Sequence, residues 1–118
     1  MSERRPSLLI KDMLQCIAHI ELYTANYSFE AFAGNFMAVE ACLYNIQIIG
    51  ETVSRLPDTV KATETTIPWT LIKGMQNRLI HEYFGTDIRL VWQVIKNDLP
   101  SFKGELNKIY TSLTDQKN

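Results

Sequence analysis

Apolar residues recur at steps of three and four through most of the chain. Between residues 7 and 27 they fall at Leu8, Leu9, Met13, Leu14, Ile17, Ile20 and Tyr23. That spacing lays one apolar stripe along a helix. Pro6 suits the first turn, where a missing N–H costs nothing. Ser28 is placed to cap a second helix. The pattern predicts one long helix from Phe29 to about Leu56, with Phe32, Phe36, Val39, Leu43, Ile46, Ile49, Val53 and Leu56 on its inner face. Only Gly34 and Gly50 interrupt it, and Pro57-Asp58 ends it.

Residues 58–66 are polar and Thr-rich and read as a loop or short irregular turn. A third helix is predicted from Pro68 through Trp69, Ile72, Met75, Leu79 and Ile80, with Gly85 as its stop. Asp87 is a good cap for a fourth helix carrying Leu90, Val91, Val94 and Ile95. Pro100 should kink or restart the chain before Phe102, Leu106, Ile109 and Leu113 continue the period, and the polar tail from Thr114 should fray. Helices with short connections imply an all-α domain, an antiparallel bundle of four to five helices over residues 1–118.

Composition agrees. A chain of 118 residues can hide roughly two-thirds of its unfolded surface. Five Gly and four Pro are too few for many short strands. The net charge of −1 does not advertise nucleic-acid binding. The distribution is less even, since residues 1–72 carry five Lys/Arg against eight Asp/Glu, and residues 73–118 carry seven against five. The basic second half could meet phosphate, although a solvated helix surface looks the same. Cys16 and Cys42 sit in apolar surroundings, as packed thiols of a reduced, cytoplasmic protein would. The N-terminus does not resemble a signal peptide, and no run approaches the roughly 18 apolar residues of a membrane span. His19 and His81 lie far from each other and from paired cysteines, so no zinc site is expected.

The densest polar cluster on an apolar background is Gln76-Asn77-Arg78-Leu79-Ile80-His81-Glu82-Tyr83. At 100° per residue, Asn77, Arg78 and His81 share one face of a helix, and Ile72, Met75, Gln76, Leu79, Ile80 and Tyr83 lie on the other. An imidazole can move a proton near neutral pH, and a guanidinium can hold a phosphate. Such a trio could cleave RNA without a metal. A histidine near a helix end is as readily a cap or a surface group. Asn45, Gln47 and Glu51 read as solvated or interhelical hydrogen-bonding residues, His19 as structural, and Trp69 and Trp92 as core or interface anchors.

Several of these residues also carry a family resemblance. Ile67-Pro68-Trp69, Ile72-Lys73-Gly74-Met75 and the run from Asn77 through His81-Glu82-Tyr83-Phe84-Gly85-Thr86-Asp87 resemble the HepT-like branch of the HEPN superfamily. Val91-Trp92 and Asn97-Asp98-Leu99-Pro100 match the usual sequel, and Tyr44-Asn45-Ile46-Gln47-Ile48-Ile49-Gly50-Glu51 resembles the family's second-helix signature. Tyr23 and Ser28-Phe29 fit its first connection. The resemblance implies a helical bundle that dimerises, so that two copies of the motif form a composite cleft. It implies a metal-independent endoribonuclease with no cofactor, acting on RNA such as tRNA or mRNA. The family motif places its polar residue on Asn77, its histidine on His81 and its tyrosine on Tyr83. It also implies a toxin–antitoxin pair in which an MNT-type nucleotidyltransferase transfers AMP to Tyr83 and silences the toxin.

One motif position departs from the family. Its arginine falls on residue 76, where this chain has Gln76. An amide donates hydrogen bonds but lacks the bidentate cationic grip of a guanidinium. Arg78 is present but points in a different helical direction. Two readings follow: a toxin ribonuclease of weakened or lost activity, or a non-catalytic helical partner of a nucleotidyltransferase.

Overall fold

The protein is described by a computed structural model covering residues 4–63, 69 and 87–115. All regular structure among these residues is helical, as the apolar period predicts. In chain order the elements are α1 (Pro6–Thr24), α2 (Phe29–Ala33), α3 (Phe36–Arg55), α4 (Asp58–Thr63), α5 (Ile88–Gln93), a π-helical turn (Val94–Asp98) and α6 (Leu99–Asp115).

Helix α1 starts with Pro6 in its first turn, as expected. It stops at Thr24, short of the predicted residue 27. The cause is local. Asn26 takes a φ of 64°, a left-handed conformation that asparagine tolerates better than most side chains. The Thr24 hydroxyl donates to the Ile20 carbonyl at 2.8 Å, which closes the last turn from within.

The predicted long second helix is two helices. Ser28 caps α2, its Oγ accepting from the Ala31 N–H at 3.1 Å. Gly34, a poor helix former, ends α2, and Asn35 is extended at φ −116° and ψ 92°. Asn35 then caps α3, its Oδ1 accepting from the Ala38 N–H at 3.1 Å. Its Nδ2 donates to the Tyr27 hydroxyl at 2.9 Å, so one side chain ties the connection to the start of α3. The break changes the phase of the stripe. Phe36, expected inside, is 66% exposed, whereas Val39, Leu43, Ile46, Ile49 and Val53 are buried as predicted.

Residues 58–66 were expected to be loop, yet Asp58–Thr63 is helical. Val60 and Lys61 donate to the Pro57 carbonyl, and Asp58 places a carboxylate in the first turn, where the helix dipole favours it. The remainder of that predicted loop, residues 64–66, lies outside the described residues.

The last helices meet without a gap. Asp87 caps α5 as predicted, its Oδ1 accepting from the Leu90 N–H at 3.1 Å. Pro100 has no N–H to give, and in a regular α-helix its ring would meet the carbonyl four residues back. The chain widens instead, and the Leu99 N–H reaches the Val94 carbonyl five residues back. This π-turn lets the chain pass from α5 into α6 in one helical run.

The core is one cluster. Leu9, Ile10, Met13, Ile17 and Ile20 of α1 meet the buried stripe of α3 and Phe102, Leu106 and Ile109 of α6. Helix α1 packs against both α3 and α6, and is the central element among the described residues. Cys16 and Cys42 are free thiols within this core. Burial pushes both thiols up, Cys42 to about 12, and Asp12 adds its charge at Cys16.

Candidate functional site

The residues singled out by sequence, Gln76, Asn77, Arg78, His81 and Tyr83, lie outside the described residues, as do Ile72, Met75, Leu79, Ile80 and Gly85. What is described is the frame on either side of them in the chain. Before them, Trp69 is buried, and its ring meets Phe102 of α6 edge-on at 6.1 Å and 82°. Its indole Nε1 is buried with no hydrogen-bond acceptor among the described residues. After them, Asp87 starts α5 and Val91 seals that helix into the core. Both flanks of the motif therefore belong to the packed body of the protein.

Helix α5 is held in turn by α2. The half-buried ring of Trp92 lies 5.0 Å from the fully buried Phe32 ring and 6.3 Å from Phe29. The Arg89 guanidinium carbon sits 4.2 Å from the Phe29 ring centroid. The Lys96 ammonium sits 4.7 Å from the Trp92 centroid. Arg89, Trp92 and Lys96 are separated by three and four residues, so helical geometry alone could have suggested a shared face. Phe29 belongs to a distant part of the sequence, and its place in the array needed the tertiary structure.

Beside this array is a cleft of about 200 Å³ between the end of α1 and the π-turn. Ile17, Ile20, Glu21, Lys96, Leu99 and Pro100 line it among others. Glu21 is engaged by Lys103, whose ammonium donates to both carboxylate oxygens at 3.0 and 3.2 Å.

The other polar residues weighed from sequence fall into structural roles. His19 is exposed and stacks on Tyr23 at 6.2 Å. Asn45 is buried and donates to the Ala41 carbonyl of its own helix at 2.9 Å. Gln47 donates to Glu51 at 3.3 Å on the surface of α3. Trp69 and Trp92 both anchor packing, as expected. Among the described residues, no three of His, Cys, Asp and Glu gather as metal ligands, and no helix is long and apolar enough to cross a membrane.

Comparison with known proteins places this frame in context. The family model described as "Ribonuclease HepT-like" matches residues 13–109, a span that includes Gln76, His81 and Tyr83. A protein of Thermococcus cleftensis named "Probable ribonuclease HepT" is 35% identical over 100 residues, covering 85% of this chain and 91% of that protein. A Methanocaldococcus jannaschii protein named "Putative RNase MJ0125" is 30% identical over 116 residues, covering 98% of this chain and 100% of that one. No solved structure matches the chain.

Proposed function

Because the chain belongs to the HepT-like ribonuclease family, we propose that it is a metal-independent endoribonuclease, the toxin of a toxin–antitoxin pair, working in the cytoplasm through a composite site formed by two copies of the chain. The observation that supports this reading is the family match across residues 13–109, with His81 inside it. In the proposed reaction, the His81 imidazole takes the proton of a ribose 2′-OH as that oxygen attacks the adjacent phosphorus. The P–O5′ bond breaks, the leaving oxygen receives a proton, and a 2′,3′-cyclic phosphate and a 5′-hydroxyl result. Arg78 offers charge to the phosphoryl oxygens, and Asn77 orients the substrate or the imidazole. Gln76 supplies hydrogen bonds but no charge at the position where the family motif has arginine. Tyr83 is the acceptor for AMP from an MNT-type nucleotidyltransferase antitoxin.

Gln76 is also the observation that favours a second reading, in which the chain is a non-catalytic helical partner of that nucleotidyltransferase. One experiment separates the two. RNA cleavage is measured in EDTA for the chain, for Gln76→Arg, and for Gln76→Arg combined with His81→Ala. A charged contact at a transition state contributes about two to three orders of magnitude in rate, so Gln76→Arg should raise cleavage on that scale and the added His81→Ala should abolish it. Cleavage that needs a divalent metal would sink the mechanism. Silence from both the chain and Gln76→Arg would favour the non-catalytic partner.

A further inference from the structure

Four side chains outside the motif form a continuous array on the surface shared by α2, α5 and the π-turn. In order they are the Arg89 guanidinium, the Phe29 ring, the Trp92 ring and the Lys96 ammonium. The spacings are 4.2 Å from cation to ring, 6.3 Å between ring centroids, and 4.7 Å from ring to cation. Arg89 and Lys96 are exposed, and Phe29 and Trp92 are half-buried. Phe32 lies under Trp92 at 5.0 Å and is fully buried, which fixes the indole from below.

The two cations differ from their neighbours in the same helical run. Lys103 is taken up by Glu21 and Lys108 by Glu105. Among the described residues, neither Arg89 nor Lys96 meets a carboxylate, and each rests on a ring instead. A cation held on an exposed aromatic face keeps its charge available to an anion. Seven residues of helix separate the two, about 10 Å along the axis. Cations that track a phosphate backbone, interleaved with rings that accept bases of any identity, are the recurring chemistry of single-strand binding.

We propose that Arg89, Phe29, Trp92 and Lys96 form a docking platform for single-stranded RNA: the two cations bind backbone phosphates, and a base stacks on the Trp92 face that Lys96 uncovers as it reaches its phosphate. The platform rests on the ribonuclease reading, and deepens it by naming the part of the chain that holds the strand. Arg89 follows His81 by eight residues, so the same stretch of sequence that carries the catalytic candidates continues directly into it. The array has no sequence code, because stacking accepts every base and phosphate contacts do not read bases. Cutting preference then comes from elsewhere in the site.

The test uses a 2′-O-methyl oligoribonucleotide, which lacks the attacking hydroxyl and so stays intact. Its binding to the full chain is followed by fluorescence anisotropy across a range of salt concentrations. Arg89→Gln combined with Lys96→Gln should weaken binding about tenfold or more at low salt. It should also flatten the log–log salt dependence by about 0.7 for each phosphate that is no longer neutralised. Lys108→Gln removes a charge elsewhere on α6 and should change neither quantity. Arg89→Lys with Lys96→Arg keeps both charges and should retain most of the affinity. In a Trp69→Phe background, where Trp92 is the remaining tryptophan, bound RNA should quench the emission. Wild-type affinity and slope in the double Gln variant would overturn the platform while leaving the ribonuclease reading intact. An equal loss in Lys108→Gln would overturn it too, by showing that only overall charge matters. A wild-type chain that binds no RNA would bring down the platform and the ribonuclease reading together.

Discussion

Trp69 meets Phe102 edge-on, ring centroids 6.1 Å apart, and through that contact the chain entering the motif is seated on α6. Both rings are more than nine-tenths buried. Phe102→Ala leaves a cavity where a ring was and should cost about 3–5 kcal/mol of stability. Trp69→Phe should be milder, below about 2 kcal/mol, because a ring remains and a buried N–H with no acceptor among the described residues is removed. Urea unfolding of the two variants checks the order, and equal losses would contradict it.

Asn35 holds the α2–α3 break with two bonds, accepting from Ala38 and donating to Tyr27. Asn35→Ala removes both and should cost about 1–2 kcal/mol. Tyr27→Phe removes only the second and should cost less. If Asn35→Ala unfolds at the wild-type denaturant concentration, the cap is not what sets the break.

The buried Cys42 thiol makes stability depend on alkaline pH. Its pKa is raised to about 12 in the folded chain, against an ordinary value near 8.5 once unfolded. Above about pH 9 the unfolded state has lost the proton and the folded state has kept it, so stability falls as pH rises toward 12. Cys16, also raised, adds to the same slope. Thermal melts from pH 7 to 11 should show the decline, and it should be shallower in Cys42→Ala. An identical slope in that variant would assign the decline to other groups.

If two copies build the proposed composite site, the chain should sediment as a dimer at micromolar concentration. The sequence reason is the apolar face that helical spacing predicts for Ile72, Leu79 and Ile80 beside the motif. A monomeric mass at that concentration would remove the composite site.

Tyr83 should accept AMP. Incubation with a partner nucleotidyltransferase, ATP and Mg²⁺ should add one or more AMP masses, and Tyr83→Phe should block the addition. Each AMP brings bulk and a negative phosphodiester next to where RNA phosphate is proposed to bind, so modification should also reduce RNA affinity. Labelling that persists in Tyr83→Phe, on Tyr44 or Tyr110 for example, would refute the assignment. Tyr44 is 64% exposed, so it is a real competitor in that experiment.

The sequence by itself determined the helical class, most of the core, with Tyr23 and Phe36 as exceptions, and the starts of α1, α2 and α5. These depend on short-range physics. An apolar stripe at steps of three and four can be buried only by a helix, and Ser28 and Asp87 cap through bonds that span three residues. The motif of Gln76, Asn77, Arg78, His81 and Tyr83 was likewise legible only as sequence. Other features were settled by the tertiary structure. The predicted long helix breaks at Asn35 because a hydroxyl eight residues back completes the side chain's bonding, and Phe36 turns outward as a result. Pro100 widens the helix into a π-turn rather than interrupting it, because Leu99 can still reach Val94. The array of Arg89, Phe29, Trp92 and Lys96 joins two distant segments, and no periodicity within either one specifies the other. Hydrogen bonds and caps read out from neighbours along the chain, whereas the pairing of α2 with α5 depends on how the whole core closes.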